Sequence, residues 1–262
     1  MSLDKILGSV SPLIVCGAAR SGTRMVTDIL NNHPSFVVEE EMHAKTMEAF
    51  FRFLNEVDDN FDSYSSRKGR RLDAHWESMK PLFFHFFMKS ANKKESLDVS
   101  SNVMFHGIKT PGFERYFNEF ESVFSRRPPS YVYCVRDAAL VWRSWKSLGF
   151  LNDFDVFRRR YVRSLRQACK IKKNADGRLV VFDLDQYVAT ETKNSFINAR
   201  LVGPLLGYER NLESDIEYDL VENRNSIGRR GQQYCYDKVL KNEMKSLCED
   251  EDIIQYKSIL MS

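Results

Sequence analysis

The chain is predicted to be a three-layer α/β sandwich built on a mainly parallel five-stranded sheet. Three observations predict it. Apolar runs at 13–16, 36–38, 103–109, 131–135 and 179–182 have the length and composition of buried strands. The segments between them carry apolar residues at helical spacing, and such alternation favours parallel pairing through right-handed crossovers. The stretch from Pro12 to Pro34, PLIVCGAARSGTRMVTDILNNHP, further reads as strand, small-residue turn and helix, with a loop suited to binding a phosphate-like anion.

Length and composition bound the rest. With 262 residues and 43% hydrophobic content the chain can bury one substantial core, and no repeat, low-complexity tract or linker divides it, so residues 1–262 form one domain. Lys+Arg 39 against Asp+Glu 36 leaves a net +3, which argues against a general nucleic-acid binder and requires any positive field to be local. No apolar run of about 18 residues marks a membrane span, and the first strand begins too near Met1 for a cleaved leader. The five cysteines are odd in number and irregular in spacing, and Cys16 and Cys134 fall inside predicted strands. They fit reduced core residues, no metal site is expected, and a cytoplasmic setting follows.

In chain order, the first strand ends in the turn Gly17–Gly22, and Met25, Val26, Ile29 and Leu30 start a helix. The first turn of a helix leaves backbone N–H groups without partners and adds partial positive charge, while Arg20 and Arg24 flank the loop. Gly17 and Gly22 have the glycine spacing of the nucleoside-triphosphatase loop G-x-x-x-x-G-K-[ST]. Thr23 and Arg24 follow, so the lysine is absent and a magnesium–ATP site is disfavoured.

The second strand runs into Glu39-Glu40-Glu41-Met42-His43, which is either a solvated acidic loop or places one carboxylate at the ligand-binding edge of the sheet. A helical insertion at about 44–101 follows and is placed to cap an acceptor site. Met47, Phe50, Phe51 and Leu54 form one core stripe, Trp76, Met79, Leu82, Phe83, Phe86 and Phe87 another, and SYSSRKGRR at 63–71 reads as an exposed loop. The third strand delivers Lys109-Thr110-Pro111-Gly112 before a helix bearing Phe113, Phe117, Phe120 and Phe124. The fourth delivers Arg136-Asp137 and a helix with Leu140, Val141, Trp145 and Leu148 in the core, where chain reversal can bring Arg136 and Ser144 onto one anion. The next helix carries Arg158, Arg159, Arg160, Arg163, Arg166, Lys170, Lys172 and Lys173 with no acid between them, a face that is either solvated or attracts an anion. After the fifth strand come Asp183-Leu184-Asp185, helices around 195–206 and at the C-terminus, and between these NSIGRRG at 225–231, an ordinary turn or a flap over a second phosphate.

Taken together and in this order, ARSGTR, EEEMH, HGIKTP and CVRDAALVWRS resemble the sulfotransferases that use 3′-phosphoadenosine 5′-phosphosulfate (PAPS). The motifs are nearest to the heparan sulfate 3-O- and N-sulfotransferase branch, and the Gly-Arg turn resembles a C-terminal flap of bacterial sulfotransferases. The resemblance spans about 12–230, without the insertion. It implies that Arg20, Ser21, Gly22, Thr23 and Arg24 hold the 5′-phosphosulfate. By the same resemblance Arg136, Ser144, Arg229 and Arg230 hold the 3′-phosphate, and Glu41, His43, Lys109 and Arg20 carry catalysis, with Glu41 as general base and His43 as its rival. Ala138 departs from the family's proline.

The implied reaction moves a sulfonate from PAPS to a hydroxyl or amine of a carbohydrate or small-molecule acceptor, releasing 3′-phosphoadenosine 5′-phosphate (PAP). Such a transfer needs positioning and electrostatic stabilisation, which fixed cations supply without a metal. The competing readings are a P-loop-type nucleotide-dependent phosphotransferase and a catalytically silent nucleotide-binding module.

Overall fold

The computed structural model describes residues 10–68, 76, 79–84, 103–207 and 238–262. The strands are β1 (Ser11–Gly17), β2 (Phe36–Glu39), β3 (Phe105–Lys109), β4 (Ser130–Val135) and β5 (Leu179–Asp183). They form one sheet in the order β2-β3-β1-β4-β5, and every pairing is parallel. Strands buried on both faces alternate their side chains between two apolar layers. Leu13 and Val15 point into one layer with Val132, Cys134 and Phe182, whereas Ile14 and Cys16 point into the other with Tyr131, Tyr133 and Val135. Cys16 and Cys134 are thus free thiols on opposite faces, and burial raises the pKa of each, which leaves them inert.

The first layer is covered by α1 (Thr23–Asn31) and by α6 (Leu184–Ala189), α7 (Lys193–Ile197), a π-helical turn (Asn198–Val202) and α8 (Gly203–Leu206). The second is covered by α2 (Ala44–Lys68), a 3₁₀ turn (Phe113–Tyr116) leading into α3 (Phe117–Val123), α4 (Ala138–Leu148), α5 (Phe154–Asn174), α9 (Lys238–Cys248) and α10 (Glu251–Met261). Aspartates start several of these helices: Asp137, Asp153, Asp183 and Asp250 each accept a first-turn N–H through the side chain. Among the described residues no helix is long and apolar enough to cross a membrane.

Three expectations are corrected. The segment at 63–71, expected as a loop, is helical as far as Lys68. It contains no glycine or proline before Gly69, so propagation of a helix already nucleated outweighs its weak propensities. In the second apolar stripe the buried face runs through Trp76, Lys80 and Phe84, with Met79 and Phe83 beside it; Phe86 and Phe87 lie outside the described residues. Lys80 disguised that face, because its ammonium lies 2.8 Å from Asp58 Oδ1, which also accepts from the Trp76 indole. Leu148, expected in the core, is 44% exposed in the last turn of α4, just before Gly149 reverses the chain in the left-handed region.

The basic face of α5 finds its acids and acceptors in distant parts of the chain. Arg158 pairs with Asp250 and Asp252, Arg166 donates to Tyr256 Oη, and Lys172 donates to the carbonyls of Ile259 and Leu260 at the end of α10. Lys170 donates to Asn118 Oδ1 on α3. Half of the eight cations therefore fasten neighbouring helices, while Arg159, Arg160, Arg163 and Lys173 are exposed.

What positions the site is the place of β1. The chain leaves it for β2 and β3 on one side and β4 and β5 on the other, so the loops after β1, β3 and β4 emerge side by side at the carboxyl edge.

Candidate active site

The loop after β1 is shaped by close approach. Gly17 has φ 137°, and a Cβ there would meet the Cys134 carbonyl oxygen at 2.5 Å; Gly22 has φ 103° and abuts Leu184. Between them Ser21 N–H donates to Ala18 O at 3.0 Å, and Arg20 adopts φ 75°. A non-glycine residue in that region costs about 1–3 kcal/mol and persists only where its surroundings hold it. Here the Trp145 indole N–H donates to Ala19 O at 2.8 Å, and Arg136 Nη1 donates to Arg20 O at 3.3 Å. α1 starts at Thr23 with no side-chain cap, so its first-turn N–H groups face the loop.

Four of the expected side chains converge on this loop. Arg20 Nε donates to Ser144 Oγ at 3.0 Å, joining the loop after β1 to the second turn of α4. Burial, then the neighbouring Arg136 cation, lowers the Arg20 pKa, and Glu41 opposes the shift. Two guanidinium groups and a carboxylate therefore share one field. Lys109, with its side chain 5% exposed, donates to Glu41 Oε1 at 2.6 Å, whereas the Glu41 side chain is 57% exposed. Thr110 holds this arrangement: its Oγ accepts from Met42 N–H at 3.1 Å and lies 2.8 Å from Lys109 O, tying the acidic loop to the end of β3.

Two buried polar atoms, Ser21 Oγ and Arg136 Nε, have no hydrogen-bond partner among the described residues, although the Asp185 carboxylate lies 3.8 Å from the latter. Buried polar atoms in native proteins are nearly always paired. A donor and a hydroxyl orphaned beside the uncapped start of α1 fit an anion bearing several acceptor oxygens.

Other expected residues lie elsewhere. Arg24 sits on the outer face of α1, 64% exposed and 4.0 Å from Asp28. His43 is exposed at the start of α2, where its carbonyl accepts from Thr46 N–H and its Nδ1 from Lys45 N–H. Arg229 and Arg230 lie outside the described residues. Of the acidic triplet, Glu39 approaches His106 at 3.4 Å on the adjacent strand and Glu40 is exposed, which leaves Glu41 at the site. Ala138 takes the first position of α4, where a proline is tolerated because no N–H is required and alanine serves equally.

Sequence reasoning passed over the residues that brace these groups. The Tyr161 hydroxyl donates to Arg136 O, and Asp185 accepts from Asp137 N–H, so the peptide group that follows Arg136 is held at both ends. Glu114 is 3% exposed, and its Oε2 accepts from Gly17 N–H at 3.2 Å. Asp183-Leu184-Asp185 at a strand end was a visible signal for Asp185; a glutamate inside an aromatic-rich turn carried none.

Burial raises the Glu114 pKa, outweighing its hydrogen bonds and the nearby Arg115. A carboxyl that binds its proton more tightly when folded makes stability fall as pH rises from the unfolded value, about 4.3, toward the raised folded one. Glu114→Gln should therefore melt progressively higher than the wild type as pH rises through that window. Melting curves of both chains across pH test this, and a pH-independent gap would contradict it.

The fold has known counterparts. No protein-family model matches the sequence, and a search of curated proteins returned no match. Among solved structures, the sulfotransferase domain of the Synechococcus PCC 7002 olefin synthase superposes with a TM-score of 0.55 at 13% identity, covering 97% of this chain and 96% of that one. A sulfotransferase from Alicyclobacillus acidocaldarius superposes with a TM-score of 0.50 at 12% identity, covering 96% of each chain. The chain thus has an α/β fold shared with bacterial sulfotransferases.

Proposed function

We propose that this protein is a PAPS-dependent sulfotransferase acting on a hydroxyl or amine of a carbohydrate or small-molecule acceptor. The observation that carries the reading is the meeting of Arg20, Lys109, Arg136 and Glu41 at one edge of the sheet, where Ser21 Oγ and Arg136 Nε lack partners among the described residues. In this reading the loop N–H groups, Ser21, Thr23, Arg20 and Lys109 bind the 5′-phosphosulfate, and Arg136 with Ser144 binds the 3′-phosphate. PAPS, when bound, supplies the sulfonate and a stable leaving group.

Glu41 removes the acceptor proton. Lys109 engages its Oε1, and the exposed side chain leaves the second oxygen open to an incoming nucleophile. His43 is less suited to that role: with Nδ1 accepting from Lys45 N–H, the neutral ring carries its proton on Nε2 and offers a donor there. Its place is to orient the acceptor. Fixed cations around the bridging oxygens favour the charge that develops there during transfer.

Calorimetric titration with PAP, with ATP plus magnesium as the rival, tests the reading alongside transfer from radiolabelled PAPS to a panel of glycans and metabolites. PAP is expected to bind without a divalent cation, and label to appear on at least one acceptor. Preferential binding of magnesium–ATP would favour a phosphotransferase, and PAP binding without any transfer a silent module.

A further inference from the structure

Glu114 is buried behind the anion loop and takes no part in the chemistry above. It sits two residues beyond Gly112, and this turn grips Gly17 twice: Gly112 N–H donates to Gly17 O at 2.9 Å, and Glu114 Oε2 accepts from Gly17 N–H. Thr110 N–H donates to Val15 O two residues earlier, so the segment carrying Lys109 runs along the last residues of β1. The other carboxyl oxygen of Glu114 accepts from Ser164 Oγ on α5 at 2.5 Å, and Ser164 Oγ lies 2.9 Å from the Tyr133 hydroxyl on β4. One side chain thus connects the exit of β1, the turn after β3, the inner face of α5 and, through Ser164, the centre of β4.

We propose that Glu114 is a positioning residue that sets the spacing between the anion loop and Lys109, and thereby the affinity for the anionic donor. Gly17, with φ 137°, is the point from which the loop departs, and its buried peptide N–H needs an acceptor, which Glu114 supplies. The carboxyl group receives that N–H from the turn after β3, 97 positions away in sequence. The groups facing Glu114 are Ser164, Tyr133 and Cys16, with Arg115 adjacent in sequence, and none of them replaces the acceptor at Gly17. Without it, a buried N–H is orphaned at the hinge of the loop, and Gly17 keeps only its carbonyl bond to Gly112 to hold it against the Lys109 turn.

The ligand part of this proposal rests on the sulfotransferase reading, so the test has two arms in the full-length protein. The first is hydrogen exchange of the peptide spanning 12–24 without ligand; the second is PAP affinity by calorimetry. In Glu114→Leu, exchange at the loop should accelerate and the PAP Kd rise by about tenfold or more, the effect of orphaning one buried donor. Glu114→Gln keeps an acceptor for Gly17 and a group for Ser164, so it should stay within about twofold of the wild type in both arms. Wild-type exchange and affinity in a folded Glu114→Leu protein would overturn the proposal, as would faster exchange with unchanged affinity. Should Glu114→Leu fail to fold, Ser164→Ala removes one support of the carboxyl and should shift both readouts in the same direction by less; no shift in either would overturn it. If the wild type binds no PAP, the sulfotransferase reading fails and donor affinity goes with it, while the exchange arm still decides whether Glu114 holds the loop.

Discussion

Glu41→Gln is expected to lower the rate of sulfonate transfer by about 10²–10⁴-fold, the usual worth of a positioned general base, with PAP bound at least as tightly as by the wild type. The asymmetry comes from the ion pair. Glu41 engages the buried Lys109 through one oxygen while most of its side chain faces solvent. The amide keeps a hydrogen-bond acceptor for Lys109 but cannot take up a proton. Removing the carboxylate also removes a competitor for the lysine, so the donor phosphosulfate gains rather than loses a cation. Single-turnover transfer set beside calorimetric PAP titration separates the two effects, and parallel losses in rate and affinity would show that Glu41 does not act as a base.

Arg136→Ala should weaken PAP binding by about 10²-fold, since hydrogen bonds to a charged group contribute about 1.5–3 kcal/mol each. Arg136 is fixed at both ends: its guanidinium Nη1 donates to Arg20 O, while its backbone carbonyl accepts from Tyr161 and Asp185 accepts the next peptide N–H. A cation held this way loses little entropy on meeting a phosphate. Arg136→Lys keeps the charge but not the planar fork and should recover only part of the loss. Calorimetry on the two variants decides the point, and unchanged affinity in Arg136→Ala would mean that this residue merely braces the loop through Arg20.

Much of the candidate site was legible because its residues sit at strand ends. Lys109 closes an apolar run, Arg136 follows another, and ARSGTR separates a strand from a helical repeat, so each is placed at the carboxyl edge by local pattern alone. Glu41 was legible only as one of three adjacent acids, and its choice depended on the resemblance to a family. The pairing of Glu39 with His106 and of Glu41 with Lys109 separates them physically. Arg24 shows the opposite case. Its sequence position beside the loop is the same as that of a ligand residue, but one step along a helix rotates a side chain by about 100°, and it faces solvent beside Asp28.

By itself the sequence determined the strand–helix alternation, the central place of the glycine-bracketed loop after β1 and the edge at which the cations emerge, because periodicity and glycine placement are local properties of the chain. Tertiary structure alone decided which charges meet. Half of the α5 cations are taken up by α3, α10 and the aspartate that starts α10, Lys80 is buried against Asp58, and Glu114 reaches Gly17 across 97 positions of sequence. Such pairings carry no periodic signal: each depends on the packing of elements whose separation along the chain says nothing about their distance in space.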